Sequence, residues 1–370
     1  MLPACAFGRK AIRIPVAIVA NNRRRLIRRG DMRVFITGAT GFVGSHIARK
    51  LSEAGHDLRI LYRSEKKLAI LDGLSYQGVA GDLDDVAALT RACDGCEIVF
   101  HVAAKADYWK DEDRTALWRI NVDGTRNVLS AAQAAGVRRV VFTSSAAAVG
   151  IRPGKALADE NDPFSLPPER YLYAYSKVQA EAIAAEFVAS GLDVVILNPT
   201  VVIGPGDLNA ISGTFVIETA RYQWAVPISS GGLAVIDARD VARAHVNAIE
   251  RGRSGERYIL NSANYPYSEW FSMIAAACDV RKPLFHTPDS LLGPIAVAVE
   301  TLRRFGIETP MDADQTRLGS TFVYFDGSKA YRELFRPEID IGASLRETWQ
   351  WYAERGYIKH NLLTRLIGLF

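Results

Sequence analysis

The sequence predicts an α/β protein: a doubly wound parallel sheet followed by a smaller C-terminal α/β lobe. Three observations carry this. Short apolar runs alternate with helical periodicity from Arg33 to Leu197. The first run feeds straight into a glycine-rich turn that opens a helix. After Pro199 the alternation gives way to chain rich in Gly, Pro and Ser. Alternation of this length means repeated βαβ units, hence a parallel sheet covered on both faces. Right-handed crossovers leave few other topologies.

Arg33 to Thr37 (RVFIT) reads as a buried strand and Phe42 to Ala54 as a helix closed by Gly55. Leu58 to Tyr62 and Ser75 to Ala80 read as strands, with Asp84 to Cys93 helical. Glu97 to Val102 is a strand, and Thr115 to Ala135 one long helix ending at Gly136. Arg139 to Thr143, helix Tyr173 to Ser190 and strand Leu192 to Leu197 complete the series. Ala234 to Arg251 reads as a strand, a turn and a helix that return to the main sheet.

Of 370 residues, 49% are hydrophobic and 23% charged, which excludes a disordered chain. Four cysteines are no disulfide framework. Apolar runs such as Met273 to Cys278 and Ile295 to Val299 fall short of the ~20 residues a membrane span needs. The net charge of +4 is unevenly placed. Residues 1–31 hold eight basic side chains and one acid, whereas the rest holds 37 basic and 40 acidic. Charge therefore makes no case for nucleic acid. Residues 1–31 are expected to be a basic extension outside the fold, disordered or upstream of a working start at Met32. A targeting peptide or contact with an anionic membrane surface are the alternatives. The tail His360 to Phe370 reads as an amphipathic segment for a lipid surface, for its own domain or for a partner subunit.

Thr37-Gly38-Ala39-Thr40-Gly41-Phe42-Val43-Gly44 follows the first strand and opens the first helix. Gly38 allows the tight turn, Gly41 lets the backbone approach a pyrophosphate, and Gly44 lets the helix pack closely. The helix N-terminus then offers free N–H groups to the phosphates. This is a Rossmann arrangement. The second strand ends Tyr62-Arg63-Ser64 with no acid at its tip. A guanidinium there suits a 2′-phosphate, so NADP(H) is expected over NAD(H). Tyr173 and Lys177 stand four apart at a helix start and share a face. A phenol is a poor acid–base group near neutrality, and a neighbouring ammonium would lower its pKa. Thr143-Ser144-Ser145 ends a strand at the crevice, where a hydroxyl can hold a substrate carbonyl. Cys93 and Cys96 form a single CxxC with no second pair, so no metal is expected; His46 and His101 read as packing residues.

Together these motifs resemble the extended short-chain dehydrogenase/reductase family, from Met32 to about Leu260. Its landmarks here are TGATGFVG, GDL (Gly81–Leu83), HVAA (His101–Ala104), NVDGT (Asn121–Thr125), TSS, YxxxK and NPTVVIGPGD (Asn198–Asp207). The resemblance implies that Asp82 and Leu83 lie by the adenine and that Ala103 and Ala104 line the cofactor. It places Pro199, Val201 and Val202 against the nicotinamide, and the catalytic serine at Ser145 rather than Ser144. Asn121 would be structural or part of a proton path. Tyr108, Trp109, Ser145 and Ala146 are the expected substrate contacts. Within the family, the chain is most similar to dihydroflavonol-reductase-like proteins and hopanoid-associated sugar epimerases, and less so to 3β-hydroxysteroid dehydrogenases. Ala146 and Ala147 stand where 4,6-dehydratases carry Asp-Glu, and Val149 replaces the tyrosine of a VYG element.

The expectation is an NADP(H)-dependent oxidoreductase of a ketone or aldehyde. A sugar epimerase that retains its cofactor, a 3β-hydroxysteroid-type dehydrogenase and a non-catalytic NADP-binding protein are the alternatives. Residues 32–200, with a return near 234–261, would bind the cofactor; 201–233 and 262–370 would form the substrate lobe. A cytoplasmic enzyme acting on a small molecule, a homodimer through two-helix packing, is what the family leads one to expect.

Overall fold

A computed structural model describes residues 32–106, 114–307, 309 and 312–359. The basic extension, Tyr108, Trp109 and the tail 360–370 lie outside the described residues.

Seven strands build the large sheet: β1 (Arg33–Thr37), β2 (Asp57–Tyr62), β3 (Gln77–Ala80), β4 (Ile98–His101), β5 (Arg139–Thr143), β6 (Val194–Pro199) and, after β7 (Val201–Ile203) and β8 (Gly232–Asp237), β9 (Arg257–Leu260). All are parallel, in the order β3-β2-β1-β4-β5-β6-β9. The reversal between β1 and β4 opens the crevice at the carboxyl ends of the strands. β1, β4, β5 and β6 read as near-continuous apolar runs because both faces are covered. On one face pack α1 (Phe42–Glu53) and, later in the chain, α7 (Ala238–Arg251). On the other lie α2 (Val86–Cys93), α4 (Gly124–Ala134) and α5 (Leu172–Ala189), with the short α3 (Arg114–Trp118) before α4.

β7 and β8 belong to a second, small sheet with β10 (Ala263–Pro266) and β11 (Phe322–Val323). One residue, Thr200, separates β6 of the large sheet from β7 of the small one. Around the small sheet pack α6 (Thr214–Tyr222), α8 (Tyr267–Ala277) and α12 (Ile341–Glu354) over Trp270, Ile274 and Leu345. α9 (Asp289–Arg304), α10 (Ala313–Arg317) and α11 (Ser328–Glu333) complete the described helices. The return near 234–261 is thus made by α7 and β9, while β8 stays in the small sheet. Among the described residues no helix is long and apolar enough to cross a membrane.

The helix expected over Thr115 to Ala135 is interrupted. Arg119–Asp123 winds as a π-turn between α3 and α4. Such a bulge is invisible to apolar periodicity, and it commonly marks a functional position. Here it carries Asn121.

Candidate active site

The turn after β1 has the shape the glycines imply. Gly38 sits at φ 76°, and a Cβ there would lie 2.6 Å from the Ala103 nitrogen. Gly41 N–H closes the turn on Gly38 O at 2.9 Å. A Cβ on Gly44 would sit 2.0 Å from Gly38 O. α1 has no side-chain cap and no acid in its first turn, so the N-terminal potential near Thr40, Gly41, Phe42 and Val43 is not neutralised locally. A dinucleotide pyrophosphate fits such a terminus.

Along the crevice, Arg63 is exposed just beyond β2 and has no acidic partner among the described residues. Asp82 uses one carboxylate oxygen to accept Asp84 N–H at 2.9 Å and Asp85 N–H at 3.2 Å. Leu83 is buried beneath Gly124, and its carbonyl accepts from Asn127. Ala103 N–H donates to the Thr37 hydroxyl, and Ala104 is exposed. Asn121 pairs with both backbone groups of Lys105, accepting at 2.8 Å and donating at 3.0 Å, and also donates to Ser176 Oγ. It therefore anchors the loop after β4 to α5. Pro199 ends β6 buried, and Val201 and Val202 are half-buried at the crossing into the small sheet.

His101 does more than pack. Thr125 donates its hydroxyl to Asn121 O at 2.7 Å, so it must accept from His101 Nε2 at 3.0 Å. His101 Nδ1 then accepts from Thr37 Oγ1 at 2.8 Å. One directed chain joins the Ala103 backbone to the π-turn through a neutral imidazole. Burial, helped by the Lys177 charge, pushes the His101 pKa down to about 3. His245 is likewise buried, donating Nδ1–H to Val241 O and accepting from Thr143 Oγ1, with its pKa pushed down to about 4 by burial. An imidazole whose folded pKa lies below its unfolded value binds its proton first in the unfolded chain. Stability is therefore expected to be full above pH 6.5 and to fall as pH drops from there towards 4. A urea midpoint clearly lower at pH 4.5 than at pH 7, reduced in magnitude by a His245→Gln change, checks this.

Tyr173, Lys177 and Ser145 are brought together. Pro167 and Pro168 precede α5, and Gly191 at φ 98° ends it. The first turns of α5 run beside the end of β5. Lys177 is 2% exposed, donates to Thr143 O at 3.0 Å and lies 5.4 Å from the Phe142 ring centroid. Burial pushes its pKa down to about 8, opposed by Glu181. The Tyr173 hydroxyl is hydrogen-bonded with Ser145. Burial pushes the Tyr173 pKa up, and the Ser145 bond opposes that rise. Desolvation leads and the Ser145 bond alone opposes it, while the Lys177 ammonium is turned to the Thr143 carbonyl. Tyr173 holds its proton at neutral pH. Ser145 Oγ also accepts from Ala147 N–H, and its carbonyl accepts from Asn198.

A cavity of about 140 Å³ opens at Tyr173, walled by Ala147, Val149, Ile151, Leu166, Leu318 and Phe325, with the Tyr171 ring beside it. Ala146, one of the expected substrate contacts, is 2% exposed and packs with Val149, Ala158 and Ile259; Ala147 takes its place in the wall. The short helical turn at Ala146–Ala148 alternates which alanine faces inward. Burial pushes the Cys93 thiol up to about 12 and raises Cys96, so both are thiols near neutrality. No group of His, Cys, Asp and Glu that could hold a metal occurs among the described residues.

The reading from motifs missed Glu181 and the part played by Asn198. Glu181 stands four residues beyond Lys177, on the same face of α5. That spacing was the available signal. It accepts from Ser144 Oγ at 2.5 Å and from Asn198 Nδ2 at 2.6 Å, and pairs with Arg257 at 3.2 Å.

A parallel sheet with this strand order, a glycine turn at a bare helix N-terminus and a Tyr–Lys–Ser cluster at the strand ends define an NAD(P)-dependent enzyme. The chain belongs to the NAD dependent epimerase/dehydratase family, whose pattern matches residues 34–261. It is 36% identical over 333 residues to a putative dihydroflavonol 4-reductase of Synechocystis sp., covering 88% of this chain and 96% of that one. It is 32% identical over 336 residues to sterol demethylase protein B of Methylococcus capsulatus, covering 88% and 100%. The structure of a nucleoside-diphosphate-sugar epimerase from Pseudomonas aeruginosa superposes with a TM-score of 0.73 at 26% identity, covering 89% and 99%.

Proposed function

We propose that the protein is an NADP(H)-dependent reductase of an apolar ketone or aldehyde. The carrying observation is the cavity at Tyr173: its lining holds no charged side chain, only tyrosine hydroxyls among aliphatic and aromatic groups. A nucleotide-sugar would need cations for its diphosphate, whereas an apolar carbonyl compound needs only one hydroxyl pair at its oxygen. The likeness to proteins named dihydroflavonol reductase and sterol demethylase protein B supports a hydrophobic substrate.

The nicotinamide, when bound, supplies the hydride to the carbonyl carbon. The chain supplies the rest. Ser145 orients the carbonyl oxygen, and Tyr173 gives that oxygen its proton. Burial suits this direction, because it keeps the phenol protonated. The Lys177 ammonium would offset the phenolate left behind and hold a ribose hydroxyl of the bound cofactor. The glycine turn and the bare start of α1 bind the pyrophosphate. Arg63, exposed and without an acidic partner, meets the 2′-phosphate.

The test is NADPH consumption followed against a panel of apolar ketones and aldehydes. Stoichiometric loss of NADPH supports the reading. Interconversion of a sugar with no net cofactor turnover would instead mark the epimerase to which the fold is also similar. Arg63→Ala is expected to weaken NADPH binding about tenfold or more and leave NADH within about twofold, measured by calorimetry. Equal loss for both cofactors would put the 2′-phosphate elsewhere.

A further inference from the structure

We propose that Glu181 is a positioning residue for the Tyr173–Lys177 pair: its carboxylate is the counter-charge that keeps Lys177 protonated, and it holds the Thr143–Ser145 strand end in register with α5. The proposal rests on the reading of Tyr173 as proton donor, because the cation matters most once that proton has left.

The geometry is a ladder. Tyr173, Lys177 and Glu181 follow one another at four-residue spacing along one face of α5. Each meets the exit of β5 in turn. Tyr173 is bonded with Ser145. Lys177 donates to the carbonyl of Thr143. Glu181 accepts from the hydroxyl of Ser144 and, through Asn198, holds the carbonyl of Ser145. Three consecutive strand residues are thereby gripped by three successive turns of one helix. This grip fixes the backbone from which the Ser145 hydroxyl projects.

The electrostatics follow from what surrounds the ammonium. From its own helix come Tyr173, protonated, and Glu181. From β5 come the Thr143 carbonyl and the Phe142 face. From β4 comes His101, neutral, and from the π-turn Asn121, uncharged. His245 on α7 faces Thr143 and is neutral as well. Asn198 on β6 is uncharged, and Arg257 on β9 is a cation bound to the far oxygen of Glu181. Among these groups Glu181 carries the negative charge. A buried lysine without such a partner loses its proton readily. Arg257 lies 3.2 Å from the other oxygen as an ion-pair partner, without a hydrogen bond.

Two substitutions separate charge from shape. Glu181→Gln keeps an acceptor for Ser144 and Asn198 and removes the charge. Glu181→Asp keeps the charge and shortens the reach. The readout is the Lys177 side chain in protein labelled with ¹³C at the lysine ε-carbon, titrated by NMR without cofactor and assigned with a Lys177→Arg variant. In the wild type the midpoint is expected at about 8. In Glu181→Gln it falls by about one pH unit, and in Glu181→Asp it stays within about half a unit of wild type. With NADPH and a carbonyl substrate, the high-pH limb of kcat/KM shifts with it. Activity of Glu181→Gln drops about fivefold at pH 8 and stays within about 1.5-fold at pH 6. A midpoint unmoved in Glu181→Gln, or lowered more in Glu181→Asp than in Glu181→Gln, overturns the proposal. Should the Gln variant not fold, Glu181→Asp decides alone, since a lowered midpoint there refutes a charge role. The titration needs no turnover. If no carbonyl substrate is reduced yet the midpoints move as stated, the proposed reaction fails while Glu181 keeps its role.

Discussion

Replacing Tyr173 with phenylalanine is expected to lower kcat about 10³-fold while NADPH binds within about threefold of wild type. The ring remains as a wall of the cavity, so its packing is kept. What is lost is the hydroxyl, which is the protonated group beside the Ser145 hydroxyl. Ser145 loses a hydrogen-bond partner, a cost of about 1 kcal/mol to stability, too little to unfold the chain. Stopped-flow or steady-state loss of NADPH absorbance measures the rate, and fluorescence titration measures the binding. A variant that turns over at the wild-type rate would remove Tyr173 from the chemistry. A variant that loses NADPH binding as well would assign the residue to cofactor binding instead.

Substituting Gly44 with alanine is expected to abolish cofactor binding at micromolar NADPH and to destabilise the fold by about 1–3 kcal/mol or more. The new methyl would lie 2.0 Å from Gly38 O and 2.7 Å from Gly38 C. Both are backbone atoms of the turn itself, so no rotamer change relieves the clash. α1 must lift away from β1, and with it the N–H groups proposed to meet the phosphates. Gly293→Ala is the control. That glycine lies inside α9, and a methyl added to it would meet nothing within 4 Å, so the exchange should be neutral or raise stability by up to about 1 kcal/mol. Thermal unfolding and calorimetric titration of both variants make the comparison. A Gly44→Ala protein that binds NADPH normally would mean that the turn does not carry the pyrophosphate.

The centre of the large sheet was legible in the sequence because β1, β4, β5 and β6 are buried on both faces. RVFIT and RVVFT need no alternation to be read, and glycines at positive φ punctuate the helices at Gly55, Gly136 and Gly191. The Tyr173–Lys177 pair and the Ser145 strand end were legible for a different reason: spacing along one helix and position at one strand end survive without coordinates. Three things were not legible. The π-turn at Asn121 inserts into an otherwise regular apolar pattern and changes no residue type that periodicity detects. Partition of β7 and β8 into a separate sheet depends on contacts with β10 and β11, which are distant in sequence. The surroundings of Tyr173 are the third, because spacing reports that a lysine is near, not that it is turned to Thr143 O or how dry the site is. The same blindness hid Glu181, whose partners come from three strands.

The crossing at Thr200 bears on how the two lobes are held together. With a single residue between the last strand of one layer and the first of the next, the two lobes share a stiff joint. The Thr200 hydroxyl and N–H are both tied to Leu260 O, which locks that joint to the edge strand. The segment from Ile151 to Tyr171 supplies Ile151, Leu166 and Tyr171 to the cavity wall, so under the proposed reading selection among substrates falls in part to that strip of chain.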